Sequence, residues 1–209
     1  PATVGMAATH LHRHWCQGFW NAIAAFAQEN AIDFAVVAPD DPLVLGAVDR
    51  LEAVGIPCFG PNKAAAILEG SKVFSKDLMK KYHIPTAQYQ VFDDMDRALE
   101  YLKTAPIPTV VKADGLALGK GVIIAQNEEE AKAALHSIME DKIFGESGAH
   151  VVVEEFLTGP EVSVLAFTDG KTLKPMVSSM DTARLRWDKG PNTGGMGTIS
   201  PTPSTPMKW

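Results

Sequence analysis

The sequence lacks any run of about 18 apolar residues, so a membrane-spanning helix and a membrane partner are not expected. It is poor in cysteine. Two thiols, Cys16 and Cys58, are too few for a disulfide framework and fit a reducing, cytoplasmic setting. It lacks a basic excess: 19 Lys and Arg against 25 Asp and Glu leave a net charge of −6. That speaks against nucleic acid as a main partner, while leaving room for a local basic pocket. The start, Pro1-Ala2-Thr3, has neither an initiator Met nor a signal-peptide pattern, and a fragment of a longer chain is expected. What is present, 209 residues at 46% hydrophobic content, can bury a core in one or two domains.

The most informative stretch runs over residues 107–125. Residues 109–111 and 122–125 are rich in β-branched side chains and read as buried strands. Between them lie Gly115, Gly119 and Gly121, with Lys112 and Lys120 at the two ends of the loop. Open backbone N–H groups and mobile cations are what a polyphosphate needs. The common phosphate loop, Gly, four residues, Gly-Lys-Ser/Thr and then a helix, is not met, because Gly121 follows Lys120 and a strand comes next. The pattern is a strand–loop–strand flap. An ordinary glycine-rich hairpin is the alternative.

Upstream, Ile23, Phe26 and Ala27 suggest an amphipathic helix from Asn21, followed by a strand over 32–38. Asp41 and Pro42 suit a helix start, with Val44, Ala47, Val48 and Leu51 at helical spacing and Gly55 as the stop. A second strand over 56–59 completes a strand–helix–strand unit, the sign of a parallel, doubly wound sheet. A short helix over 63–68 is interrupted at Gly70. Ser71 caps a helix over 72–82, with Val73, Phe74, Asp77 and Leu78 near one face. Lys72 sits in its first turn, where the helix dipole is already positive. It is either a solvated lysine or one that shares an anion with the helix N-terminus.

Residues 84–86 read as a linker. A strand over 89–92, a helix through Met95, Ala98, Leu99 and Leu102 capped by Asp93 or Asp94, and a helix over 128–140 follow. Strands are expected at 151–155, 162–167 and, past an Asp169-Gly170 turn, 173–178. The strand ending Glu154-Glu155-Phe156-Leu157 offers an apolar slot with polar edges that suits a purine, with Glu161 in reach of ribose hydroxyls. Solvated acids at a strand end are the plainer alternative. Four glycines within 190–197, alongside Asn192, Thr193 and Met196, form a candidate anion nest. His10, His12, His14 and Cys16 alternate, so a strand would put a metal-binding set on one face; a surface or altered segment is the alternative.

Together these motifs closely resemble the phosphoribosylamine–glycine ligase family of the ATP-grasp superfamily. The resemblance rests on Phe59-Gly60-Pro61, Leu68-Glu69-Gly70-Ser71-Lys72 through Lys76-Asp77, and Ile84-Pro85-Thr86. It continues through Lys112-Ala113-Asp114-Gly115-Leu116-Ala117, Gly119-Lys120-Gly121-Val122, Glu154-Glu155-Phe156-Leu157 and the loop 190–197. It implies an α/β chain: a partial Rossmann-like pre-ATP-grasp domain over 1–70, then a partial ATP-grasp α+β domain over 71–209. It implies ligation of glycine to 5-phosphoribosylamine through glycyl phosphate in purine synthesis, with ATP going to ADP and phosphate.

In this resemblance Lys72 and Lys112 hold ATP phosphates, and Gly119, Lys120 and Gly121 form the flap, with Lys112 and Lys120 as the catalytic cations. Glu154, Phe156 and Leu157 frame adenine, and Glu161 the ribose. Asn192, Thr193, Gly194, Gly195 and Met196 contact phosphoribosylamine, with Asp181. Mg2+ or Mn2+ is implied, with its ligands beyond Trp209.

The chain departs from the family in lacking its opening strand and Gly-Asn-Gly-Gly-Arg-Glu-His loop, over residues 9–20, and at Asp181-Thr182-Ala183-Arg184, where Asp-His-Lys-Arg is usual. A local frame disturbance at the last two places is the expectation. The rival readings are a non-catalytic ATP-binding fragment and another ATP-grasp carboxylate–amine ligase.

Overall fold

The computed structural model describes residues 17–116, 121–159, 161–181 and 197–202. The histidine–cysteine set at 10–16 therefore lies outside the described residues, as do Gly119, Lys120 and 192–196. The chain divides into two compact units, Pro1–Phe156 and Leu157–Trp209.

The first unit opens with α1, Gln17–Glu29. Its buried face is Trp20, Ala24 and Ala27, spaced four and three residues apart. The expected face included Phe26, which is instead 60% exposed. The large indole at position 20, one residue before the expected helix start, sets the rotation. Strand β1, Ala35–Val36, pairs in parallel with β2, Cys58–Phe59. The strand–helix–strand order is present, but both strands are shorter than expected.

Two helices connect them, α2, Asp40–Leu45, and α3, Ala47–Ala53, in place of the single expected one. Gly46 breaks the run at φ 89°, a left-handed conformation that costs a glycine little. Pro39, not Asp41, occupies the N-cap position, and Asp40 and Asp41 lie in the first turn, where their charge complements the dipole. Trp20, Ala27, Val37, Ala47, Val48, Leu51 and Ile56 form one apolar cluster.

Helix α4, Lys63–Gly70, is capped by Asn62, whose Oδ1 accepts from Ala65 N at 2.9 Å. Gly70 is its last residue rather than an interruption; the chain turns at Ser71, which is extended. Helix α5, Lys72–Lys81, starts as expected with the Ser71 hydroxyl accepting from Phe74 N at 3.0 Å. Its buried residue is Lys76, which lies outside the expected face of Val73, Phe74, Asp77 and Leu78.

The main sheet has the order β3-β6-β4-β5, all antiparallel. Its strands are Tyr89–Phe92 (β3), Thr109–Ala113 (β4), Val122–Ala125 (β5) and Val151–Glu155 (β6). Helices α6, Met95–Leu102, and α7, Glu128–Leu135, cover one face. Asp94 caps α6 and Asn127 caps α7. The expected helix over 128–140 is continuous in chain but changes to a π-helical turn at His136–Glu140. Phe92, Val111, Ala113, Ala125, Val151 and Val153 meet Ala98, Leu102, Ala131, Leu135 and Ile138 in the larger core.

In the second unit β7, Ala166–Thr168, and β8, Leu173–Pro175, form the hairpin around Asp169-Gly170. Asp169 Oδ1 accepts from Lys171 N and Thr172 N, at 2.9 and 2.7 Å, which fixes the turn. Both strands are shorter than expected. Strand β9, Met180–Asp181, pairs antiparallel with β10, Thr198–Ile199. Among the described residues, no helix is long and apolar enough to cross a membrane.

Candidate nucleotide-phosphate site

Side chains alternate across a pleated sheet, so the register fixes which residues share a face. Val111, Ala113, Val151 and Val153 point into the helix-covered core. Lys112 and Glu154, on the alternate positions of β4 and β6, therefore occupy the other face. Lys112 stands opposite Val152, and Glu154 opposite both Val110 and Tyr89. Lys112 and Glu154 are thus diagonal neighbours, close enough for long side chains to meet. They form an ion pair, with Lys112 Nζ on Glu154 Oε1.

The other oxygen of Glu154 belongs to α5. Lys76 Nζ lies 2.5 Å from Oε2, as an ion pair rather than an aligned hydrogen bond. Lys76 also donates to Thr86 Oγ1 at 2.8 Å and to the Ala87 carbonyl at 3.3 Å, and lies 5.4 Å above the Tyr89 ring. The Tyr89 hydroxyl donates to Asp77 Oδ1 at 2.7 Å. Burial and this carboxylate push the Tyr89 phenol up to about 12. Two ammonium groups thus hold one carboxylate that is only 6% exposed, leaving one net positive charge on an otherwise apolar face with Val110 and Val152 buried beside it. A charged group is tolerated at that depth only when paired.

A second polar cluster sits where β4 leaves the sheet. Asp114 Oδ1 accepts from Val73 N at 2.8 Å and from the Ser71 hydroxyl at 2.9 Å. The Asp114 carbonyl accepts from Lys72 N at 3.1 Å. The first turn of α5 therefore binds an anion, but that anion is the chain's own Asp114. In this structure the N-terminal N–H groups that were one candidate anion site beside Lys72 are therefore taken by Asp114. Lys72 Nζ donates to the Gly115 carbonyl at 2.9 Å. Burial pushes this ammonium below its ordinary value of 10.5; Asp114 acts upward, Lys112 downward and Glu69 upward.

The start of the flap loop is anchored from below. Asp114 N donates to the Ser147 and His150 carbonyls, and the Ser147 hydroxyl to the Leu116 carbonyl at 3.2 Å. A Cβ at Gly115 would stand 2.5 Å from Ser147 Oγ, so glycine is needed here for close approach rather than for φ. Gly121 is buried where the loop returns, and its carbonyl accepts from Ala113 N at 2.9 Å.

Of the expected site residues, Lys72, Lys112, Gly121 and Glu154 gather around β4. Phe156 is half-buried directly after β6. Leu157 and Glu161 are exposed in the second unit, and the Asp181 backbone pairs with Thr198 there. Among the described residues, no group of three or more His, Cys, Asp or Glu could hold a metal ion. Sequence reasoning missed Lys76 and Asp114 as site residues. The signal for Lys76 was its place four residues after Lys72 on one helix, which sets both on the same face.

Residues 1–69 match the N domain of phosphoribosylglycinamide synthetase, and residues 70–209 its ATP-grasp (A) domain. The chain belongs to the phosphoribosylglycinamide synthetase family. It is 52% identical over 182 residues to a phosphoribosylamine–glycine ligase of Pasteurella multocida, covering 87% of this chain and 42% of that protein. The chain thus spans less than half the length of the curated relatives it matches. The crystal structure of the Thermotoga maritima phosphoribosylamine–glycine ligase superposes with a TM-score of 0.64 at 42% identity, covering 68% of this chain and 36% of that one. The biotin carboxylase domain of a Hydrogenobacter thermophilus 2-oxoglutarate carboxylase, solved with MgADP, shares the fold at 19% identity (TM-score 0.68; 82% of this chain, 39% of that one). The synthetase family thus carries the α/β, ATP-grasp architecture.

Proposed function

We propose that this chain carries the phosphate-handling side of a ligase that joins glycine to 5-phosphoribosylamine with ATP going to ADP and phosphate. The single observation that carries the reading is the Lys112–Glu154–Lys76 group, one net positive charge held on an apolar sheet face beside Lys72 and the base of a glycine-rich loop. A polyphosphate beside an apolar purine fits that chemistry. ATP supplies the phosphoryl group that activates the glycine carboxylate. Phosphoryl transfer depends on positioning and charge neutralisation more than on covalent help.

In this reading Lys112 turns from Glu154 to a phosphate oxygen, and Lys72 from the Gly115 carbonyl to another. Gly119, Lys120 and Gly121 cover the phosphates and exclude water. Phe156 and Leu157 border the adenine, Glu161 the ribose, and Asp181 with 192–196 the phosphoribosylamine. Mg2+ or Mn2+, entering with the nucleotide, would supply further charge neutralisation at the phosphates. The boundary between leading and ATP-grasp domains falls at 70/71, a reading supported by the extended residue Ser71 between α4 and α5 and by the two family matches meeting at 69 and 70.

The test is ADP formation with glycine and freshly made phosphoribosylamine, on this chain and on a version continuing past Trp209. Activity in the longer chain that Lys112→Ala abolishes supports the ligase. Nucleotide binding by both without ADP formation favours a non-catalytic binding fragment. Absence of nucleotide binding in both sinks the site assignment.

A further inference from the structure

Lys76 adds charge to the proposed site, but the proposed function gives it no contact with a ligand. It is 8% exposed and held by the Thr86 hydroxyl, the Ala87 carbonyl, the Tyr89 ring and Glu154. Asp77, the next residue on α5, latches the same strand through Tyr89. Lys112, on the opposite side of Glu154, is more open, with 24% of its side chain exposed. One lysine is thus fixed from several directions, and the other can move.

That asymmetry matters to a lysine that must let go of a carboxylate to reach a ligand. In a simple Lys112–Glu154 pair, departure of Lys112 would strand a buried, unpaired carboxylate, which is strongly unfavourable. The pair would also be neutral and offer no attraction to an anion. With Lys76 in place, Glu154 keeps a counter-ion after Lys112 leaves, and the group carries one positive charge throughout. We propose that Lys76 is a positioning residue for Lys112: by holding Glu154 from the far side, it frees Lys112 to bind phosphate. The phosphate end of this inference rests on the proposed nucleotide site; the release of Lys112 from Glu154 does not.

The experiment has two arms, run on wild type, Lys76→Met and Lys76→Arg. The first measures affinity for MgATP, MgADP and adenosine. Lys76→Met is expected to weaken both phosphorylated ligands about tenfold or more, as loss of a buried charge partner does, while adenosine changes little, and Lys76→Arg restores binding. Equal loss for all three ligands would mean a structural role and overturn the proposal. The second arm uses no nucleotide. Acetic anhydride labelling of Lys112, read by mass spectrometry, is expected to fall several-fold in Lys76→Met, where Lys112 becomes the sole partner of Glu154, and to stay near wild type in Lys76→Arg. Unchanged labelling in folded Lys76→Met overturns the inference.

If wild type binds no nucleotide, the ligase reading fails while the labelling arm still decides this one. Should Lys76→Met not fold, Lys76→Met/Glu154→Gln, which removes both buried charges, is compared with Glu154→Gln. Equal Lys112 labelling in those two proteins supports coupling through Glu154; a remaining difference refutes it.

Discussion

Asp114 is the group whose removal the structure prices most directly. Its carboxylate accepts from Val73 N at 2.8 Å and from the Ser71 hydroxyl at 2.9 Å, at the first turn of α5. Hydrogen bonds to a charged group are worth about 1.5–3 kcal/mol where well formed. An anion at a helix N-terminus adds about 0.3–1 kcal/mol. Asp114 is half-buried, so the lower part of each range applies, and Asp114→Ala is expected to cost about 2–4 kcal/mol. In a chain of this size that lowers the melting temperature by about 5–15 °C. Asp114→Asn keeps an acceptor oxygen in place and loses only the charge, so it costs about 1 kcal/mol or less. Thermal unfolding followed by circular dichroism, repeated in low and high salt, separates the two parts. The Asp–Asn difference shrinks as salt screens the dipole interaction, while the Asn–Ala difference persists. If Asp114→Ala melted within 1 °C of wild type, or Asn proved as damaging as Ala, the account of this cap would be wrong.

Three further outcomes follow from neighbouring groups. Lys72 has its ammonium held below 10.5 by burial, so the charged form is disfavoured in the fold. The resulting penalty is fully present below the folded value and is relieved as pH rises to 10.5. Lys72→Met should therefore gain on wild type at neutral pH and lose that advantage toward pH 10.5, in urea unfolding curves at each pH. Tyr89, pushed up to about 12, should give a late component in a titration of phenolate absorbance. Its stabilising contribution is present below pH 10 and is lost as pH rises through 12. Tyr89→Phe should remove the late component, and Asp77→Asn should bring it down. A Cβ at Gly115 would press on Ser147 Oγ and Cβ, so Gly115→Ala should cost about 1–3 kcal/mol, with much of it recovered in Gly115→Ala/Ser147→Gly. Additive effects in that double-mutant cycle would refute the contact.

The legible parts of the fold were those decided by local chemistry. Ser71 and Asp94 each precede a helix and each accepts the expected backbone N–H, while the cap at Asn127 was not read from the sequence. The four strands of the main sheet follow from short runs rich in β-branched or, in β3, aromatic residues that have no competing helical period. The leading region was less legible because tertiary packing sets it. Trp20 rotates α1 so that Phe26 faces outward while Ile23 and Ala27 stay against the core, and Gly46 splits a run whose apolar spacing alone reads as one helix. In the site, Lys112 and Glu154 could be named from their motifs, but their mutual contact could not. That contact depends on the β4–β6 register, which joins residues 42 apart in the sequence only once the sheet has formed. Lys76 stayed hidden for a different reason. A hydrophobic pattern assigns lysines to solvent, so α5 was rotated onto its apolar residues, whereas the protein turns a lysine inward.

That inward lysine bears on function through what stability does not require. Replacing a buried ion group with well-packed apolar side chains is often neutral or stabilising, whereas removing one partner is costly. Lys76, Lys112 and Glu154 lie on a sheet face where Val110 and Val152 are already buried and apolar. An apolar trio at those three positions would extend the same surface and hold α5 against the sheet at least as well. Thr86, Ala87 and Tyr89 supply further groups that serve to satisfy Lys76. A fold selected for stability alone has no use for such an arrangement. A fold that must present a movable cation to an anion beside an apolar surface does, because the fixed charge on one side makes the mobile charge on the other available. On the proposed reading, the charge on this face serves what Lys112 reaches rather than what it holds together.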